Sequence, residues 1–148
     1  MPVEPGRFPT LDPARCIPCG LCEVACVSAR FNLVDLVPED PIVLEQRRLR
    51  VRAWAGVPKL EVCVHCAERP CVAVCPHHAL VVFPNGRVDL VADRCTGCGQ
   101  CIAACDYGAI RRVSRLDIAQ KCDGCAPLGH LPACIPACPS GALSLVVR

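Results

Sequence analysis

Apolar residues along this chain occur in short runs, without the long periodic stretches of extended helices. Two β-rich runs, Ala79–Phe83 and Arg87–Val91, flank the turn sequence Pro84-Asn85-Gly86 and predict a β-hairpin. Further strands are predicted around 31–37, 42–52, 109–113 and 143–147, and short helices are predicted to begin within 23–30, 72–75, 102–105 and 135–138. These short elements together predict an α+β fold.

The composition lacks the residues that usually stabilise a core. Among 148 residues there are only three Phe, one Tyr and one Trp, against 16 Cys and 15 Pro. Aromatic side chains normally supply much of the buried area of a core. Small scaffolds without such a core are stabilised by disulfides or by metal, so we expect one of these here.

The N-terminal segment favours metal over disulfides. It shows no apolar h-region of a signal peptide, and no apolar run in the chain approaches the roughly twenty residues of a membrane helix. We therefore expect a cytoplasmic protein without a membrane span, in which clustered cysteines bind metal.

Several classes of function find no support in the sequence. A formal net charge of +2 gives no reason to expect a nucleic-acid partner. There is no Gly-rich phosphate loop and no recognisable nucleophile–base pair. We therefore predict no catalytic residue.

All sixteen cysteines fall into four groups of four, which we number motifs I to IV. Motifs I and III share the spacing Cys-x2-Cys-x2-Cys-x3-Cys, whereas the middle gap is x4 in motif II and x8 in motif IV. The members are Cys16, Cys19, Cys22 and Cys26 (I), Cys63, Cys66, Cys71 and Cys75 (II), Cys95, Cys98, Cys101 and Cys105 (III), and Cys122, Cys125, Cys134 and Cys138 (IV). In the bacterial ferredoxin arrangement three cysteines of such a motif bind one cubane and the fourth binds the other cluster of a pair. Four motifs therefore predict four [4Fe–4S] clusters in two pairs.

The segment between motifs II and III indicates which motifs pair. It contains the predicted hairpin, as in a compact two-cluster ferredoxin, so motifs II and III are expected to form an inner module at 60–112. By elimination, motifs I and IV pair across it in an outer module at 1–59 and 113–148. The predicted fold is two ferredoxin-like two-cluster modules, the inner one inserted in the outer one.

Structural zinc is the alternative from a different class. Two Cys-x2-Cys pairs form one structural zinc site, so sixteen cysteines suffice for four such ions. Triplets with a shared middle cysteine suit zinc poorly, because each tetrahedral site takes two separable pairs. About sixteen irons per chain in a brown protein would distinguish clusters from zinc.

Basic residues near the motifs allow two interpretations. They either offset the negative charge of clusters or are ordinary surface cations; they are Arg15, Arg69, Arg94 and Lys121. Alternation also places Arg48, Arg50 and Arg52 on one face of a predicted strand, which is either solvated or directed at an acidic partner. Four histidines are expected behind the ligands or on the surface, because cysteine fills every ligand position; they are His65, His77, His78 and His130.

The motifs resemble those of four-cluster, ferredoxin-like iron–sulfur subunits of multisubunit oxidoreductases. The resemblance is carried by Cys16–Cys26, Cys63–Pro76, Lys121–Cys125 and Pro132–Pro139. Members accompany dimethyl-sulfoxide-reductase-type molybdenum enzymes, formate dehydrogenases, hydrogenases and tungsten aldehyde oxidoreductases. The resemblance implies an electron-transfer subunit whose partners are a larger catalytic subunit, of molybdenum or tungsten pterin type or a hydrogenase, and a further redox carrier. A free-standing polyferredoxin is the alternative within electron transfer.

The crossed ligation of that family implies one set of four ligands for each cluster. The sets are Cys16, Cys19, Cys22 and Cys138; Cys26, Cys122, Cys125 and Cys134; Cys63, Cys66, Cys71 and Cys105; and Cys75, Cys95, Cys98 and Cys101. This chain departs from the family pattern in a shorter middle gap of motif IV, at 126–133, and in Asp106, which stands where proline often follows the motif.

Overall fold

The computed structural model describes residues 7–31, 45–129 and 131–147. Its helices are α1 (Leu21–Ser28), α2 (Pro70–Ala73), α3 (Gln100–Ala104) and α4 (Cys134–Ala137). Its strands are β1 (Arg7–Leu11), β2 (Leu49–Trp54), β3 (Val57–Val62), β4 (Leu80–Val82), β5 (Val88–Leu90), β6 (Arg111–Val113), β7 (Ile118–Gln120) and β8 (Leu143–Val147). Two single-turn 3₁₀ helices lie at Ala92–Arg94 and Ala126–Leu128. The mixture of short helices and strands confirms the α+β prediction.

The described strands form four two-stranded antiparallel ribbons, β1–β8, β2–β3, β4–β5 and β6–β7. The hairpin predicted around Pro84-Asn85-Gly86 is confirmed as β4–β5, in which Leu80 pairs with Leu90 and Val82 with Val88. Strands were also correctly predicted at β6 and β8. The remaining strands β1, β3 and β7 were not predicted.

The predicted strand at 42–52 is shifted in the structure, where the described part of it begins only at Leu49 and ends at Trp54. The end point is set by the turn at Ala55 and Gly56, which have φ of 49° and 78°. A turn with positive φ at both central residues matches the twist of the two strands it joins. Strand β2 therefore continues up to this turn. The predicted strand around 31–37 lies outside the described residues except for Phe31, which is not in a strand.

Each helix begins one or two residues before the start of its predicted range. A left-handed residue precedes three of them, namely Gly20 (φ 76°), Arg69 (φ 47°) and Gly99 (φ 80°). The sharp change of direction there starts the helix at once. The third cysteine of motifs I, II and III therefore lies inside the first helical turn instead of before it.

Buried residues gather in two separate cores. The outer core contains cysteines of motifs I and IV, and its members are Cys22, Cys26, Leu49, Val62, Cys122, Cys134 and Leu143. The inner core contains cysteines of motifs II and III, and its members are Cys71, Leu80, Val88, Cys101, Ile110 and Ala119. Helix α1 packs against α4, and α2 packs against α3. Among the residues described, no helix is long and apolar enough to cross a bilayer.

Candidate iron–sulfur centres

A cavity of about 280 Å³ beside α2 is lined by thiols from two motifs. Cys63, Cys66 and Cys71 come from motif II, and Cys105 comes from motif III. We call these four residues the Cys71 site. Three cysteines of motif II and the last cysteine of motif III therefore face the same space.

A second, smaller cavity shows the same arrangement between motifs I and IV. It is lined by Cys16, Cys19, Cys22 and Cys138, which we call the Cys16 site. Cys19 is exposed and Ile17 beside it is 60% exposed. The Cys16 site therefore reaches the protein surface.

Electrostatic interactions connect the thiols of the two remaining sets. Burial, then repulsion by the thiolates of Cys122, Cys26 and Cys125, raises the pKa of Cys134. We call these four residues the Cys122 site, and all of them are buried.

Thiolate repulsion also connects the members of the remaining set, Cys75, Cys95, Cys98 and Cys101. Burial, then repulsion by Cys95, Cys75 and Cys98, raises the pKa of Cys101. These four residues form the Cys101 site, of which Cys98 is exposed. All four sets implied by crossed ligation thus consist of cysteines that lie near one another.

The donor sets fit a [4Fe–4S] cubane. In the described ranges, no three His, Cys, Asp or Glu side chains converge on a point where one metal ion could bind. Burial, then thiolate repulsion, raises the pKa of Cys71 to about 11, and burial raises that of Cys122 to about 12. Four such thiols need a positively charged group among them to deprotonate, and a cubane with one thiolate on each iron supplies it.

Backbone amides donate hydrogen bonds to several of the sulfurs. The pairs are Arg48 N to Cys26 Sγ (3.3 Å), His65 N to Cys63 Sγ (3.4 Å), Ala79 N to Cys75 Sγ (3.3 Å), Ala119 N to Cys95 Sγ (3.4 Å) and Gly124 N to Cys122 Sγ (3.4 Å). Hydrogen bonds to ligand sulfur raise the reduction potential of a cluster, because they stabilise the more negative reduced state.

The last cysteines of motifs II and IV lie in turns rich in amides. Burial acts to raise the pKa of Cys75, but hydrogen bonds from the N–H groups of Ala79 and His77 outweigh burial and lower this pKa. Burial likewise opposes the shift at Cys138, whose pKa is lowered by the Leu143 N–H and the Ser140 hydroxyl. A proline follows each of these cysteines. Both thiols therefore ionise more readily than an ordinary cysteine.

A buried ion-pair network holds motif IV against the outer module. Asp123, whose side chain is 8% exposed, pairs with Arg30 and with Arg48 at 3.0 Å, and it also accepts the N–H of Cys125 at 2.9 Å. The prediction of a shared strand face for Arg48, Arg50 and Arg52 was wrong for Arg48, which precedes β2 and turns inward to Asp123. The carboxylate that attracts it lies 75 residues away in sequence.

One of the three described histidines is buried and two lie at the surface. His65 is buried and His77 and His78 are exposed, while His130 lies outside the described residues. His65 Nδ1 accepts the N–H of Val88 at 3.1 Å, which fastens motif II to the hairpin. Burial, then the charges of Lys121 and Arg87, lowers the pKa of His65 to about 3, so the ring is neutral. The bond to Val88 was not predicted, because the two residues belong to different local patterns.

Gly97 in motif III provides a test of how closely the Cys101 site is packed. A Cβ at Gly97 would overlap the carbonyl oxygen of Asp117, whereas a Cβ at Gly99 would meet nothing within 4 Å. Both glycines have positive φ, 69° and 80°, so a side chain at either costs about 1–2 kcal/mol in backbone strain. We expect Gly97→Ala to lose iron from the Cys101 site and Gly99→Ala to retain it, measured as iron per chain after anaerobic purification. Equal iron retention by the two variants would show that the contact with Asp117 does not shape the site.

Comparison with known proteins places the chain in a family. Residues 53–148 match the 4Fe–4S dicluster domain, and this segment contains motifs II, III and IV. The chain is 35% identical to the electron transport protein HydN of Escherichia coli, over 97% of this chain and 89% of that protein. It is 36% identical to the thiosulfate reductase electron transfer subunit PhsB of Salmonella typhi, over 89% of this chain and 71% of that one.

A longer relative shows the same similarity. The formate dehydrogenase iron–sulfur subunit of Haemophilus influenzae is 30% identical over 90% of this chain, which corresponds to 49% of that subunit. These matches confirm the resemblance seen in the cysteine motifs and remove the support for a zinc protein. The chain belongs to the family of ferredoxin-like 4Fe–4S dicluster proteins.

Proposed function

We propose that this chain is an electron-transfer iron–sulfur subunit, which passes single electrons through four [4Fe–4S] clusters between a catalytic oxidoreductase chain and a further redox partner. The observation that carries the proposal is the gathering of all sixteen cysteines into four sets of four thiols. The chain has no catalytic site of its own in this proposal. Its relatives are named as electron transport proteins and electron-transfer or iron–sulfur subunits.

The ligands we propose are the four sets defined above, with three residues from one motif and one from its partner motif. The two lined cavities support the Cys71 and Cys16 sites. Mutual thiolate repulsion supports the Cys122 and Cys101 sites. When bound, a cubane at each site exchanges one electron with little change of geometry.

The two cores support an inner module inserted in an outer one. The expected boundary after residue 112 passes through the β6–β7 ribbon, and Ala119 of β7 packs in the inner core. Val62 packs in the outer core, at the end of the β2–β3 ribbon. We therefore place the inner module at 63–120, with outer segments 7–62 and 121–147. The antiparallel pairing of β1 with β8 closes the outer module.

The exposure of the ligands supports an order for the relay. Cys19 of the Cys16 site and Cys98 of the Cys101 site are exposed, while every ligand of the Cys122 site is buried. The thiolate of Cys22 also contributes to the repulsion at Cys134, so the Cys16 and Cys122 sites are neighbours. We propose that electrons enter and leave at the two exposed sites and cross between modules from the Cys122 site to the Cys71 site.

We propose that the catalytic partner is a molybdenum- or tungsten-pterin chain, as the family resemblance implies, with a hydrogenase as the other type. The names of the thiosulfate reductase and formate dehydrogenase relatives support an assembly of subunits. The relative HydN, named only as an electron transport protein, favours a free-standing carrier as the second candidate. We place the protein in the cytoplasm, where reduced thiols are available for cluster assembly.

The test is anaerobic purification of the tagged chain from its own host. We expect about sixteen irons and sixteen sulfides per chain, with visible absorption bleached by about four electrons from dithionite, because each cubane holds four irons and takes one electron. A catalytic chain that copurifies in constant ratio identifies a subunit, whereas an isolated chain identifies the free carrier. A colourless or zinc-containing protein would contradict both.

A further inference from the structure

Lys121 is a buried cation at the boundary between the two modules. Lys121 is 2% exposed, and it directly follows Gln120, the last residue of the β6–β7 ribbon. Within the described part of the chain, Lys121 Nζ donates one hydrogen bond, to the carbonyl oxygen of Cys122 at 2.9 Å. That acceptor is neutral, and no carboxylate among the described residues forms an ion pair with Lys121.

The acidic residue two positions after Lys121 in the sequence is already compensated. Asp123 pairs with Arg30 and Arg48, so its charge is matched by two guanidinium groups. A buried ammonium without an anion is expensive in free energy. Within the described residues, no carboxylate is left to balance the charge of Lys121.

Two of the proposed cluster sites lie within electrostatic reach of this ammonium. The charge of Lys121 opposes the rise in pKa at Cys71 and also at Cys122. Ala119, two residues before Lys121, packs in the inner core, whereas Cys122, directly after it, packs in the outer core. Cys63, a member of the Cys71 site, packs against the outer core that contains Cys122. Lys121 thus lies where the two modules meet.

We propose that Lys121 sets the reduction potentials of the two clusters at the module junction, those of the Cys71 and Cys122 sites. A fixed positive charge stabilises the reduced, more negative state of a nearby cluster and so raises its potential. The two anionic clusters in turn supply the negative charge that a buried ammonium requires. This inference rests on the ligand sets proposed above.

The test replaces Lys121 by methionine, which keeps the length of the side chain and removes its charge. Potentiometric titration followed by electron paramagnetic resonance measures each cluster, with signals assigned by the cysteine variants that remove them. We expect the reduction equilibria of the two junction clusters to shift about tenfold toward the oxidised form, which is about 59 mV for a one-electron couple. The clusters of the Cys16 and Cys101 sites should shift less.

Two further variants separate charge from packing. Lys59 is exposed on β3 and is the other lysine of the chain, so Lys59→Met changes the net charge equally and should leave all four potentials unchanged. Lys121→Arg retains the charge and should hold the junction potentials near their original values. Unchanged potentials in Lys121→Met, or an equal shift of all four clusters, would overturn the inference.

A measurement on the unaltered protein applies even where Lys121→Met loses its clusters. Labelling with ¹⁵Nζ-lysine introduces only two labels, at Lys59 and Lys121. We expect a ¹⁵N hyperfine coupling to the reduced junction clusters, and its absence from a four-cluster protein would contradict the inference. An iron-free protein would instead contradict the proposed function, so the two failures are distinguishable.

Discussion

Asp123→Asn is expected to lower the free energy of unfolding by about 3 kcal/mol and to release the cluster of the Cys122 site. The side chain of Asp123 is 8% exposed, and those of Arg30 and Arg48 are 13% and 25% exposed. Removal of the carboxylate charge leaves two largely buried guanidinium groups without their anion. Breaking one side of a buried ion pair is among the most destabilising single changes.

The effect on the cluster follows from the position of Asp123 between two ligands. Its carboxylate accepts the N–H of Cys125 at 2.9 Å and pairs with Arg48, whose own N–H donates to Cys26 Sγ. Cys26, Cys122 and Cys125 belong to the same proposed site. The network therefore orients ligands of both motifs, and its loss is expected to reduce the iron content by about four, the content of one cubane.

Asp117→Asn is the matched control for this variant. Asp117 pairs with Arg112 at 2.7 Å, but the two side chains are 69% and 52% exposed. Exposed pairs contribute about 0–1 kcal/mol, and asparagine tolerates the left-handed backbone of Asp117, with φ of 51°. Anaerobic denaturation followed by circular dichroism and by cluster absorption compares the two variants. Equal stability of both would contradict the role assigned to the network.

Local sequence patterns predicted the features that depend on neighbouring residues. The turn at Pro84-Asn85-Gly86 predicted the β4–β5 ribbon, because a Pro-Asn-Gly turn between two short apolar runs specifies a hairpin by itself. The cysteine spacing predicted the cofactor, because a cubane restricts which cysteines can reach it. The early helix starts were missed since the effect of a left-handed residue such as Arg69 is not evident from its identity.

Long-range contacts account for most of what the sequence did not predict. β1 pairs with β8, for example Arg7 with Val147, and neither strand carries a signal of that partner. Alternation alone places Arg48 on a solvated or partner-directed face, because Asp123 is distant in sequence. The sequence leaves Lys121 as either a charge-balancing or a surface cation, because its burial depends on the meeting of two modules.

The same dependence applies to the ligand sets. Each motif identifies its own cysteines, but the motif that supplies the fourth ligand is a property of the folded chain. Nesting of the modules followed from one hairpin and from elimination, and the ligand sets followed from family resemblance. The cavity that contains Cys63, Cys66, Cys71 and Cys105 is the structural observation that most directly supports crossed ligation.

The proposed crossed ligation would bring the clusters of each pair close together, and two double alanine variants test it. Cys71 and Cys105 lie in different motifs but in one proposed site, whereas Cys98 and Cys105 lie in one motif but in different proposed sites. With four irons in each cubane, we expect about twelve irons per chain in Cys71→Ala/Cys105→Ala and about eight in Cys98→Ala/Cys105→Ala. The single variants supply the reference for each loss.

The most direct measurement of the central claim is therefore the iron content of these two double variants, purified anaerobically in parallel. The account predicts that the variant altered in two motifs keeps more iron than the variant altered in one. The reverse order would show that each motif binds its own cluster with all four of its cysteines, and it would contradict the paired clusters on which the proposed relay depends.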